Sequence, residues 1–149
     1  VAYPDEDHNR DGRHITYLDQ PESWRAPDPL VFDHLKSVLE SGERKVSTLE
    51  CEALLPGALY FRDPIPKAGK PTERPLARQA WLGRLAQELD PCDLVFLDPD
   101  NGLEPKRFNP RTAKAAKSIA IAELQALNRP GRALLVYHHQ TRMSGGHRV

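Results

Sequence analysis

The segment Asp98-Pro99-Asp100-Asn101-Gly102 sets two carboxylates and an amide directly behind the apolar run Leu94-Val95-Phe96-Leu97. Tyr137-His138-His139 stands in the same relation to a second apolar run, Ala133-Leu134-Leu135-Val136. Carboxylates beside a phenol and an imidazole suit two kinds of chemistry. They can orient an amine or hydroxyl and move its proton, or they can hold a hard divalent cation. Glu104 adds a third carboxylate, with Lys106 two residues on, so Asp98, Asp100 and Glu104 are candidate ligands for Mg or Mn, with His138 as base or further ligand.

The elements around these groups must bring them together. Residues 93–98 and 133–137 read as strands, continuous and apolar as when both faces of a parallel sheet are covered. A helix is expected between them, from about Thr112 to Asn128, ahead of the Pro130-Gly131 turn. Strand, helix and strand at this spacing form a βαβ unit. The two strands are therefore expected to be parallel, interior and neighbouring, with Asp98 and His138 both facing the crevice where open α/β sheets bind ligands. His138 and His139 alternate across the strand, so only one of them faces it.

The remainder supplies the scaffold. Asp28 as N-cap, Pro29 at the first helical position and Gly42 at the end bound a helix over Pro29–Ser41, with Leu30, Val31, Leu35, Val38 and Leu39 as its apolar residues. Residues 1–27 read as a polar lead-in, with an Asp11-Gly12 turn and a short strand over 14–18. Val46–Glu50 and 58–62 read as further strands. The segment 63–75 carries Pro64, Pro66, Pro71 and Pro75 and reads as an exposed, mobile loop. A helix follows over Arg74–Leu89, with Leu76, Ala80, Trp81, Leu85 and Leu89 at helical spacing and Pro91 as its stop. Trp24, Trp81 and Tyr60 read as core or interface residues.

Composition narrows the setting. The chain has 149 residues, enough for one domain with one core. It has 21 basic and 21 acidic residues, so overall charge demands neither a polyanion nor a membrane surface. Contact with nucleic acid would be local, through Lys106, Arg107, Arg111, Lys114 and Lys117, the densest basic cluster. Two distant cysteines, Cys51 and Cys92, and no signal-peptide pattern point to a reducing, cytoplasmic compartment. No apolar run approaches the roughly 18 residues of a membrane span. The chain opens on Val1 in a polar segment, and native sequence before it is expected.

Val95-Phe96-Leu97-Asp98-Pro99 with its polar turn resembles motif IV of S-adenosylmethionine-dependent amino-methyltransferases of the DPPY type. The resemblance implies a three-layer, Rossmann-like α/β fold with a mainly parallel sheet, and methyl transfer from S-adenosylmethionine to a nucleic-acid amine. It assigns Asp98 and the Pro99 carbonyl to the acceptor amine, Tyr137 or His138 to the acceptor side, and Glu50, ending the strand from Val46, to the cofactor ribose. Asp100 stands where the family has its second proline, and Asn101 where it has its base-stacking aromatic residue. Such stacking is worth about 1–3 kcal/mol per base, and position 101 does not supply it. No glycine-rich cofactor loop after a first strand is found from Val1 onward, which leaves a place upstream of Val1 or none.

Other readings remain open. Pro99-Asp100 with Glu104-Pro105-Lys106 resembles the catalytic residues of PD-(D/E)xK nucleases, although three intervening residues are too few for carboxylates on separate strands. A metal-dependent nuclease or phosphohydrolase is the chemical alternative, and a non-catalytic relic of the fold that binds a ligand or partner is the third. Pro, Asp, Asn and Gly are also the ordinary turn formers, so the segment also reads as a plain strand-to-loop turn.

Overall fold

The computed structural model describes residues 14–42, 45–50 and 53–138; Asp11-Gly12, Cys51, His139 and the tail after it lie outside the described residues. Length alone allows one domain, but the chain divides into two compact units, one ending at Tyr60 and the other carrying the chain from Phe61 onward.

In the first unit, α1 (Pro21–Trp24) precedes α2 (Pro29–Ser41). The caps of α2 are those its sequence announces. Asp28 Oδ1 accepts the Val31 N–H at 3.0 Å, and Gly42 takes a left-handed φ of 73° that closes the helix. Its packing differs from expectation, since Phe32 is buried while Leu30 is exposed. Arg25 grips Asp33 through two bonds of 2.7 and 2.6 Å. That hydrogen bonding holds the Asp33 carboxyl below its ordinary range. Two expected strands are 3-10 helices instead, at Thr16–Asp19 and Val46–Leu49. At the second, the Thr48 N–H and hydroxyl both donate to the Lys45 carbonyl, at 3.2 and 2.6 Å. This local bond competes with strand pairing. Residues 58–62 are also irregular, with no strand partner among the described residues.

The second unit contains α3 (Arg74–Glu88), β1 (Leu94–Leu97), a 3-10 helix (Ala113–Lys117), α4 (Ile121–Leu127) and β2 (Ala133–Val136). The strands pair in parallel, Leu94 with Ala133 through Leu97 with Val136. With its helices this makes the chain α/β. Trp81 and Leu85 of α3 and Leu89, which caps it, pack with Val95, Leu97 and Leu127 to form the core. Leu76 and Ala80 face out, so the buried stripe of α3 runs Arg78, Trp81, Leu85 and on to the capping Leu89. The 63–75 segment is mostly exposed but anchored. Ile65 joins the core, and the Trp81 indole N–H donates to the Asp63 carbonyl at 2.8 Å. No helix among the described residues is long and apolar enough to cross a membrane.

Three expectations need correction. The strands are not interior, because among the described residues they form a two-stranded sheet in which each is an edge. Nor are they covered on both faces: Val95 and Leu97 are buried, whereas Leu94, Phe96 and Leu135 are more than half exposed. The helix over 112–128 is broken, because Ser118–Ala120 are extended and Ile119 forms a parallel bridge with Leu103. Two bonds hold the bridge, Ile119 N–H to the Gly102 carbonyl at 3.0 Å and Glu104 N–H to the Ile119 carbonyl at 2.9 Å.

Two arginines organise the unit. Arg132 donates to the carbonyls of Leu89, Asp90, Cys92 and Leu127 at 2.7 to 3.0 Å, satisfying backbone acceptors left open where α3 and α4 end. Arg78, on the core side of α3, is 5 % exposed. It pairs in bidentate fashion with Glu123, itself 7 % exposed, and donates to the Ala115 and Ser118 carbonyls at 2.7 Å each. Glu123 in turn accepts the Ala120 N–H at 2.8 Å.

A buried charge stripped of its partner costs about 3–5 kcal/mol. Arg78→Met and Glu123→Leu should each lower unfolding free energy by about that much in urea titrations. The double variant should cost less than the sum. Arg78→Lys should recover little, because one ammonium cannot span four acceptors in the guanidinium geometry. Additive single effects would show that the two side chains do not act as a pair.

Candidate functional site

Strand period places the predicted residues. The ladder runs one residue past β2, the Tyr137 N–H donating to the Leu97 carbonyl at 2.8 Å. Asp98 and Tyr137 therefore follow the paired residues Leu97 and Val136 and turn to the opposite face. Asp98 lies with exposed Leu94 and Phe96, and Tyr137 with exposed Leu135. Pro99 and His138 fall on the buried side, where Pro99 is fully enclosed and His138 half-buried. Asp98 and His138 do not share one crevice. They lie on opposite faces of the strand edge.

Behind Asp98 the chain makes a tight turn, with the Gly102 N–H donating to the Pro99 carbonyl at 2.8 Å. That carbonyl, which the resemblance assigns to an acceptor amine, is engaged within the turn. Asp100 Oδ2 meets Lys117 Nζ at 2.7 Å, and the Asn101 N–H donates to the Lys117 carbonyl at 2.7 Å. Asp100 is thus a strut between loop and 3-10 helix. Asn101 is exposed at the turn.

His138 docks against the next two residues. Its Nδ1 accepts the Leu103 N–H at 3.0 Å, which places the proton of the neutral ring on Nε2. Gly102 has φ of 71°, and a Cβ built on it would stand 1.9 Å from His138 Nδ1. Both the backbone and the imidazole require glycine here.

A cleft of about 490 Å³ opens beside this contact. Asn101, Glu104, Arg107, Phe108, Lys114 and His138 are among its lining residues, and Asp98 is not. Ala115 and Ser118 also line it. They are the two residues whose carbonyls Arg78 holds, and the Arg78 guanidinium lies 5.2 Å from the Phe108 ring centroid. The buried ion pair therefore fixes one wall.

The expected basic cluster is divided. Arg107 and Lys114 reach the cleft, Lys117 pairs with Asp100, and Lys106 and Arg111 are exposed outside the lining. The Arg111 carbonyl accepts from Arg74 at 2.7 Å. Glu50 follows a 3-10 helix in the other unit and does not end a strand, so the cofactor side of the methyltransferase resemblance is not matched. Among the described residues, no group of three or more His, Cys, Asp or Glu side chains is arranged to hold a metal ion.

Arg78, Glu123 and the Gly102–His138 contact were not singled out by sequence. For Arg78 a signal exists, because it sits three residues before Trp81 on the core stripe, where a charge demands a buried partner. No family model, curated protein or solved structure matches this chain.

Gly102→Ala combines left-handed strain with a displaced imidazole and should cost about 1–3 kcal/mol in chemical denaturation. In a His138→Ala background only the backbone component remains, so the same substitution should cost measurably less. Equal costs in the two backgrounds would mean that His138 does not pack on Gly102.

Proposed function

We propose that this chain binds a nucleic-acid amine at the carboxyl edge of β1 and β2, as the acceptor half of a methyltransferase-like site. One observation carries the reading: the parallel ladder continues to Tyr137, which sets Asp98 and Tyr137 side by side on one face. A carboxylate accepts hydrogen bonds from an exocyclic amine, and an adjacent phenol ring offers a stacking surface. Tyr137 is 51 % exposed and would supply the aromatic surface that Asn101 cannot. The wider fold reading, three layers with a mainly parallel sheet, is supported by the exposed apolar face of Leu94, Phe96 and Leu135, which a second helical layer would cover.

S-adenosylmethionine would supply an electrophilic methyl group. Glu50 does not fit the role of its ribose ligand, so the proposal rests on the acceptor side alone. The metal-dependent alternative draws no support from the placement of its carboxylates, because Glu104 lines the cleft and Asp98 does not.

The test is fluorescence-anisotropy titration of the full chain with a labelled single-stranded DNA containing one adenine, against the same strand with hypoxanthine, which lacks the amine. Wild type should prefer adenine about tenfold. Asp98→Asn should lose the preference without losing thermal stability, and Tyr137→Leu should weaken both strands, by about 1–3 kcal/mol. Parallel calorimetry reads Mg and Mn binding to wild type and Asp98→Asn. Equal affinity for the two strands in wild type would contradict the proposal, as would tight Mg or Mn binding that Asp98→Asn abolishes.

A further inference from the structure

The cleft on the far side of the edge from Asp98 has its own chemistry. Arg107 and Lys114 are exposed cations with no ion pair or hydrogen bond to their side chains among the described residues. Glu104 likewise has no side-chain partner among them. Phe108 adds an aromatic surface held by the Arg78 guanidinium over its ring, and the volume lies within the roughly 300–1,000 Å³ typical of small-ligand sites. A bare anion would gain from the two cations but be repelled by Glu104. A bare cation or neutral ring would leave both cations unanswered. A ligand that carries both an anion and hydrogen-bond donors answers all three groups, and a planar ring gives Phe108 a stacking partner.

We infer that this cleft is a nucleotide site, with phosphate on Arg107 and Lys114 and the donor-bearing base or sugar on Glu104 and Phe108. The site is separate from the amine-binding face at Asp98 and does not depend on it. The nucleotide has two possible sources, a free mononucleotide or one unit of a single strand crossing the edge.

Isothermal titration of the full chain with adenosine 5′-monophosphate, adenosine, inorganic phosphate and a short single-stranded oligodeoxynucleotide tests the inference. The monophosphate should bind at least tenfold tighter than adenosine or inorganic phosphate. Arg107→Gln/Lys114→Gln should remove that advantage, and Glu104→Gln should narrow the gap between the monophosphate and inorganic phosphate. Lys67→Gln/Lys70→Gln, which removes the same charge from an exposed segment outside the cleft, should change affinity less than twofold. Inosine 5′-monophosphate, which lacks the exocyclic amine assigned to Asp98, should keep the same advantage over inosine and inorganic phosphate, so failure at the amine face and failure at the cleft read out separately. A strand preferred over the monophosphate at equal salt identifies the strand as the source, and the reverse identifies the free nucleotide. No binding of either, or equal loss in both double variants, overturns the inference.

Discussion

The Arg78 guanidinium serves the Glu123 carboxylate, the carbonyls of Ala115 and Ser118, and the face of Phe108 from one buried position on α3. Residues 99–120 contain no long helix or strand, so their shape cannot come from a repeating hydrogen-bond pattern. It comes from this fork, from the Leu103–Ile119 bridge and from the Asp100–Lys117 strut. Replacing a buried ion pair by apolar groups is often neutral for stability. What the pair provides here is position. Each of its bonds has a direction, and together they set where Ser118 turns the chain from 3-10 helix into extended backbone ahead of α4.

The second constraint is the two-residue period of the strands. Because the parallel ladder runs through Tyr137, neighbouring residues at the edge are sent to opposite faces. Asp98 and Tyr137 go one way, Pro99 and His138 the other. A carboxylate on an open apolar face and a partly cationic cleft behind it are different environments, and they suit different parts of a ligand. The loop from Pro99 to Leu103 separates them, and its glycine lets the His138 ring lie against the backbone.

Much of the framework was readable from residues alone. The caps of α2, the extent of α3, the parallel pairing of β1 and β2 and the location of the polar turn each follow from a local rule, namely capping chemistry, helical spacing or a βαβ order. The failures share a different origin. At 112–128 the residues suit a helix throughout, but tertiary bonds to Gly102, Glu104 and Arg78 compete for the backbone of Ser118–Ala120 and win. At 46–50 a threonine hydroxyl closes a local turn. Placing Asp98 and His138 in one crevice treated the strand end as a point, whereas alternation along the ladder separates them. Leu94 and Phe96 read as covered because an apolar run carries no label for which face meets the core.

The most direct measurement is long-range ¹H–¹⁵N correlation spectroscopy of the His138 imidazole near neutral pH, with Gly102→Ala as comparison. The two-faced edge requires His138 turned inward with Nδ1 unprotonated and accepting the Leu103 N–H, and the proton on Nε2. Gly102→Ala should abolish the Leu103 contact and shift both ring nitrogens. A wild-type ring protonated at Nδ1, or one unchanged by Gly102→Ala, would place His138 elsewhere and contradict the account.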